Sequence, residues 1–152
     1  MNGRILLIGR SGCGKTSLIL RLQGKATQAK KTQAAEYSND FIDIPGEYLE
    51  VRNFYRALIV LTSEARAAAL LQSADDPENL YPSGLARAFS KPIVGVVTKM
   101  DLSSADPDRA EAILRQAGAG QIFFVSSLTG EGIDELNHHL ETIRCGEGDP
   151  GG

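Results

Sequence analysis

Eight consecutive residues, Gly9-Arg10-Ser11-Gly12-Cys13-Gly14-Lys15-Thr16, carry the spacing of a phosphate-binding loop: Gly, four free positions, Gly-Lys, then Ser or Thr. Glycines at these positions let backbone N–H groups converge on phosphate oxygens with no Cβ in the way. A lysine in the place of Lys15 reaches the β- and γ-phosphates, and a hydroxyl in the place of Thr16 is a ligand for Mg²⁺. Thr16 and Ser17 fall at a helix start, where the partial positive charge of the helix N-terminus favours anions. The flanks supply the required context. Ile5-Leu6-Leu7-Ile8 reads as a buried parallel strand, and the segment from Lys15 to Gln23 as a helix stopped by Gly24. A chance glycine turn with a surface lysine would need neither.

A second group lies at Asp43-Ile44-Pro45-Gly46-Glu47. An aspartate at the carboxyl end of a strand can hold Mg²⁺ through a water, and Gly46 N–H can meet a γ-phosphate at close range. Asp and Gly are also common turn residues, but behind a phosphate loop the chemical reading prevails. His138 and His139 are adjacent, so they cannot share one helical face, and they read as solvated rather than as metal ligands. Cys13 reads as a small residue the loop tolerates, although a helix N-terminus can lower a thiol pKa and make it redox-sensitive.

The elements that must position these groups follow from the chain in order. After the first helix, residues 24–31 form a polar loop with Lys25, Lys30 and Lys31. Residues 34–37 and 41–44 read as two short strands joined at Ser38-Asn39-Asp40, a hairpin. Residues 57–62 are strand-like in composition, yet Val51, Phe54, Tyr55 and Leu58 recur at helical spacing. The reading adopted is a helix over about 49–63 and a strand over about 67–72. A short helix is expected over 83–89, a core strand over 93–97, and a helix capped by Asp106, with Pro107 first, running to Gly118. A strand over 121–125 and a helix presenting Ile133, Leu136, Leu140 and Ile143 on one face complete the chain, and residues 146–152 read as a disordered tail. Alternating strands and helices predict an α/β domain over residues 1–145, a mainly parallel sheet with helices on both faces. Ligands of such sheets bind at the carboxyl ends of the strands, and Gly9, Asp43, Asp101 and Ser126 all fall just after strands.

Composition narrows the classes. With 152 residues the chain suits one domain, and a net charge of −3 gives no footprint for nucleic acid. Two distant cysteines, Cys13 and Cys145, without metal-type spacing point to a reduced, cytoplasmic setting. The opening passes into a strand with no room for a signal peptide, and the apolar run 57–61 is far too short to span a membrane.

The four patches in this order resemble the small GTP-binding proteins, which implies a P-loop NTPase with a Ras-like G domain. In that resemblance Gly9–Thr16 is the phosphate loop and Asp43–Gly46 the Mg²⁺ and γ-phosphate motif. Thr98-Lys99-Met100-Asp101 then stands for the base-reading Asn-Lys-x-Asp, and Ser126-Ser127-Leu128 for the last base loop, Ser-Ala-Lys. A closer resemblance, to the EutP/PduV family of ethanolamine and propanediol utilisation, covers nearly the whole chain. It rests on the opening, on Asp43-Ile44-Pro45-Gly46-Glu47-Tyr48, on Tyr81-Pro82-Ser83-Gly84 and on the stretch from Lys91 to Asp101. It implies a nucleotide-binding protein working with bacterial microcompartments, with shell or pathway proteins as partners. Members are described both as GTPase-like and as an ATP-dependent acetate kinase.

The implied nucleotide contacts are Gly9, Arg10, Ser11, Gly12, Cys13, Gly14, Lys15, Thr16, Ser17, Gly46, Thr98, Lys99, Asp101, Ser126, Ser127 and Leu128. The implied Mg²⁺ ligands are Thr16, Asp43 and Thr32, the last from the mobile loop, and the catalytic group is Lys15, Glu47 and Thr32. Departures from the pattern weigh on the nucleotide, GTP or ATP. Asp101 keeps acceptors for guanine N1–H and its exocyclic amine, which adenine lacks. Thr98 is shorter than the usual Asn, and Leu128 replaces a Lys. Glu47 stands where a Gln usually orients water, and its charge would be repelled by a γ-phosphate unless compensated. No arginine is evidently a finger, which implies slow hydrolysis. Three functions follow: a guanine-nucleotide switch or slow GTPase, an acetate kinase, and a non-catalytic nucleotide-bound assembly module.

Overall fold

The structure is a computed structural model and describes residues 4–10, 12–22, 41–45, 56, 59, 60, 64–79, 81–89 and 91–145. Five strands, β1 (Ile5–Gly9), β2 (Phe41–Pro45), β3 (Ala67–Ser73), β4 (Ile93–Thr98) and β5 (Gln121–Phe124), form one sheet in the order β2-β1-β3-β4-β5. Every neighbouring pair is parallel. Three α-helices accompany them among the described residues: α1 (Lys15–Leu22), α2 (Pro107–Ala117) and α3 (Ile133–Cys145).

Strand alternation sorts the core onto two faces. Ile5 and Leu7 of β1 join Leu18, Ile19 and Leu22 of α1 and Leu136 and Leu140 of α3. Leu6 and Ile8 turn the other way and join Ala110, Ile113, Leu114 and Ala117 of α2. β1, β3 and β4 are buried along their whole length, as parallel strands covered on both faces must be. β3 begins Ala67-Ala68-Ala69. Alanine is a poor strand former, so the covering layers, not intrinsic propensity, hold these residues extended.

Several sequence expectations are met in detail. Asp106 caps α2, its side chain accepting from Arg109 N at 3.1 Å, with Pro107 at the first helical position and Gly118 closing the helix at φ 107°. Arg56, Ile59 and Val60 have helical backbone, in keeping with the helix assigned to their segment, most of which lies outside the described residues. The first strand of the expected hairpin and the tail over 146–152 lie outside them as well. One element differs. The helix expected over 83–89 is a single 3₁₀ turn, Leu85–Ala88. Gly84 enters it at φ 74° and Phe89 is already extended at its end, and Pro92 lies just beyond. Too few residues remain between these breaks to propagate an α-helix.

Candidate functional site

The parallel register brings the chemistry-bearing groups to one edge of the sheet. β1 ends at Gly9, paired with Pro45 of β2, while Asp43 lies opposite Leu7. The chain then turns tightly, Cys13 N donating to Arg10 O at 3.0 Å, with Gly12 at φ 88° and Gly14 at φ 99°. Side chains rarely adopt such angles, which accounts for glycine at both positions. Gly9 is required by space instead, since a Cβ there would meet Cys13 Sγ at 2.6 Å and Leu71 Cβ at 3.0 Å. Lys15 opens α1 almost wholly buried, and Nζ donates to Gly9 O at 3.0 Å while lying 3.4 Å from Asp43 Oδ1. Thr16 and Ser17 are exposed beside it. Thr16 hydroxyl and Asp43 carboxylate are hard oxygen donors, a donor set suited to Mg²⁺.

From β4 a second cluster closes on the same loop. Thr98 Oγ1, buried, donates to Cys13 O at 2.7 Å. Lys99 takes a left-handed backbone at φ 62° and its Nζ donates to Gly12 O at 2.7 Å. A non-glycine residue in that conformation is held there by its surroundings, and functional sites concentrate such residues. Asp101, two residues on, accepts at Oδ1 from Ser126 Oγ at 2.7 Å. Ser126 Oγ in turn accepts from Thr129 N at 3.1 Å, and Gly130 N donates to Ser126 O at 2.8 Å, so the turn after β5 is braced from within. Ser127 is half-buried, and Leu128 is 76% exposed. Thr98 and Lys99 are therefore bonded directly to the phosphate loop, and the turn at 126–128 is linked to them through Asp101 and Ser126.

Arg10 turns elsewhere. Its guanidinium pairs with Asp76 Oδ2 at 3.0 Å and Glu78 Oε1 at 2.9 Å, both on the loop after β3. Ser11, Thr32, Gly46 and Glu47 lie outside the described residues. The Cys13 thiol is pushed up by burial, with Lys15 opposing the shift, so its place at a helix start does not make it a ready thiolate.

Sequence reasoning assigned no role to Tyr81, Gln72 or Arg21. Tyr81 is fully enclosed, and its hydroxyl lies 2.5 Å from Leu71 O and 3.0 Å from Ile8 O, directly before the phosphate loop. Burial holds the phenol well above its ordinary pKa, so it remains a donor. Gln72 Nε2 donates to the carbonyls of Asp76 and Glu78 at 2.9 and 3.1 Å. Gln72 shapes the loop after β3, Tyr81 fastens its end to β1 and β3, and Arg10 ties the same loop to the phosphate loop. Arg21 reaches from α1 to the carbonyls of Ser127 and Leu128. The bond of Tyr81 to Ile8 and those of Arg21 have no local signal, because the partners are remote in sequence.

The sheet order, the glycine loop between β1 and α1, and the clusters ending β2, β4 and β5 define a P-loop protein with the GTPase-like α/β fold. A solved structure of this class, a point variant of Aquifex aeolicus Era bound to GDP and aluminium fluoride, superimposes with a TM-score of 0.57. It shares 17% identity and covers 95% of this chain, which spans 57% of that one. The sequence pattern of the family described as ethanolamine utilisation - propanediol utilisation matches residues 2–142, and the chain belongs to this PduV-EutP family. The propanediol utilization protein PduV of Citrobacter freundii is 46% identical over 136 residues, 88% of this chain and 89% of that protein. The protein named probable acetate kinase EutP of Escherichia coli strain K12 is 34% identical over 143 residues, 92% and 90% of the respective chains. Among the described residues no helix is long and apolar enough to cross a membrane.

Proposed function

We propose that this chain is a Mg²⁺-dependent guanine-nucleotide-binding protein, a slow GTPase or switch that serves ethanolamine or propanediol utilisation through a partner on a microcompartment. The observation that carries the reading is the bonded bridge between the two ends of the site. Thr98 and Lys99 are fastened to the phosphate loop, and Asp101 is oriented by Ser126. A carboxylate fixed in this way offers two acceptors to guanine N1–H and the exocyclic amine. Asp101 is exposed in the structure, and a base seated on it would cover its acceptors; adenine would then leave them covered and unpaired, which is a source of discrimination. Lys99 lays its alkyl stem along the base while its ammonium holds Gly12 O.

At the phosphate end Lys15 binds and orients the terminal phosphates. Thr16 and Asp43 would hold Mg²⁺, which supplies charge neutralisation at the phosphate oxygens. Thr32 and Glu47 complete the reading as a γ-phosphate sensor and a water-orienting residue. Arg10, engaged by two carboxylates, is not free to act on a transferring phosphoryl group, which supports slow intrinsic turnover. Titration of purified protein with GTP, GDP and ATP in Mg²⁺, beside Asp101→Asn and Lys15→Ala, tests the proposal. Guanine nucleotides are expected to bind at least tenfold tighter than ATP, Asp101→Asn to lose that preference, and Lys15→Ala to lose binding of all three. Equal or tighter ATP binding, indifferent to Asp101, would overturn it, as would ADP formation that depends on added acetate.

A further inference from the structure

The guanidinium of Arg21 makes the longest reach within the site. Arg21 lies in the last turn of α1, the helix that begins with Lys15 and Thr16. Its Nε donates to Ser127 O at 2.7 Å and its Nη2 to Leu128 O at 3.2 Å, two successive carbonyls of the turn after β5. A basic residue in the last turn of a helix is ordinarily explained by the helix dipole alone. Here the fork leaves its own helix and grips a loop more than a hundred residues away, a bidentate geometry that arginine makes and lysine cannot.

Gly130 of the turn lies under the guanidinium. A Cβ there would stand in ordinary van der Waals contact, 3.5 to 3.7 Å from the guanidinium atoms, so the backbone φ of 90°, and not space, calls for glycine, and the arginine packs against the turn itself. The same turn holds Ser126, whose hydroxyl accepts from Thr129 N and donates to Asp101. Internal bonds give the turn its shape. Arg21 gives it its place relative to the helix that meets the phosphates. The chain of contacts therefore runs from Lys15 along α1 to Arg21, then to Ser127 and Leu128, and through Ser126 to Asp101.

We infer that Arg21 is a positioning residue for base recognition: it holds the Ser126–Leu128 turn at a set distance from the phosphate-binding helix, so that base discrimination, and not phosphate affinity, depends on it. The inference rests on the guanine reading above. In this role Arg21 acts through the turn backbone and Ser126, and not as a ligand of the nucleotide.

The test compares the unaltered protein with Arg21→Ala, Arg21→Gln and Arg21→Lys, measuring dissociation constants for GDP, ADP and pyrophosphate in Mg²⁺ by calorimetry or competition. Arg21→Ala is expected to weaken GDP roughly tenfold, the scale of losing hydrogen bonds from a charged donor. Pyrophosphate should change less than about twofold, and the GDP-to-ADP preference should fall in parallel. The weakening should appear in the GDP off-rate, since a loosened base turn releases the nucleotide sooner. Arg21→Lys, with its charge kept but its fork lost, should recover only part of the preference, and Arg21→Gln less. Undiminished GDP-to-ADP preference in Arg21→Ala would overturn the inference, and so would equal losses for GDP and pyrophosphate, which would mark general damage to α1. If the unaltered protein itself shows no preference for GDP over ADP, it is the guanine reading that fails, and this is seen before any variant is made.

Discussion

Thr98 shows how one side chain can keep part of a role that its type puts in question. A threonine is too short for all the contacts of the asparagine it replaces in the GTP-binding pattern, yet its hydroxyl makes the bond that joins β4 to the phosphate loop. The residue is 2% exposed, so Cys13 O has little access to water as a replacement donor. Thr98→Val preserves the shape and removes the donor. It should lower unfolding stability by about 1–3 kcal/mol, the range for stranding one buried partner. It should also weaken nucleotide binding, because the loop loses its tie to the base side. Denaturant unfolding and GDP titration of the same sample check both, and unchanged stability would show that Cys13 O is satisfied by other means. The expectation that Thr98 belongs to the candidate site came from the resemblance of residues 98–101 to Asn-Lys-x-Asp. Which carbonyl it bonds was not legible, because the partner stands 85 residues earlier in the chain.

At the level of elements, the junction between β5 and α3 decides whether Ser126 faces Asp101. Gly132 lies just before α3 at φ 73°, and a Cβ there would approach Phe124 O to 2.1 Å. Backbone is the obstacle, so no side-chain rotation relieves it. Gly132→Ala should therefore destabilise the fold by about 1–3 kcal/mol or more and displace the turn that carries Ser126, with a lower melting temperature and weaker GDP binding together. Normal melting and binding would show that the junction can shift without cost. Strand periodicity and caps made most elements readable, Asp106 and Gly118 among them. The 3₁₀ turn at Leu85–Ala88 was less so, because its apolar residues fit a helix while Gly84 and Phe89 close it off within one turn.

For the molecule as a whole, the site is built across the carboxyl edge of the sheet, so a bound nucleotide would tie β1, β2, β4 and β5 together. On the reading proposed here, GDP with Mg²⁺ at a hundred times its dissociation constant should add about 2.7 kcal/mol of stability. For a chain of 152 residues that is a rise in melting temperature of roughly 5–10 °C. Lys15→Ala should abolish the rise without lowering the melting temperature of the nucleotide-free protein to the same degree. A rise that survives in Lys15→Ala would place the nucleotide elsewhere. The amino-acid sequence alone made the phosphate loop and the alternation of strands and helices among the described residues legible, because each is encoded by neighbours within a few residues. Of the four patches expected just after strands, Asp101 and Ser126 follow β4 and β5, whereas Gly9 ends β1 and Asp43 lies within β2. Only the tertiary structure decided that Arg10 pairs with Asp76 and Glu78, that Tyr81 braces the backbone at Ile8 and Leu71, and that Arg21 grips the turn after β5. Those contacts depend on sheet register and helix placement, which bring together groups that no local spacing connects.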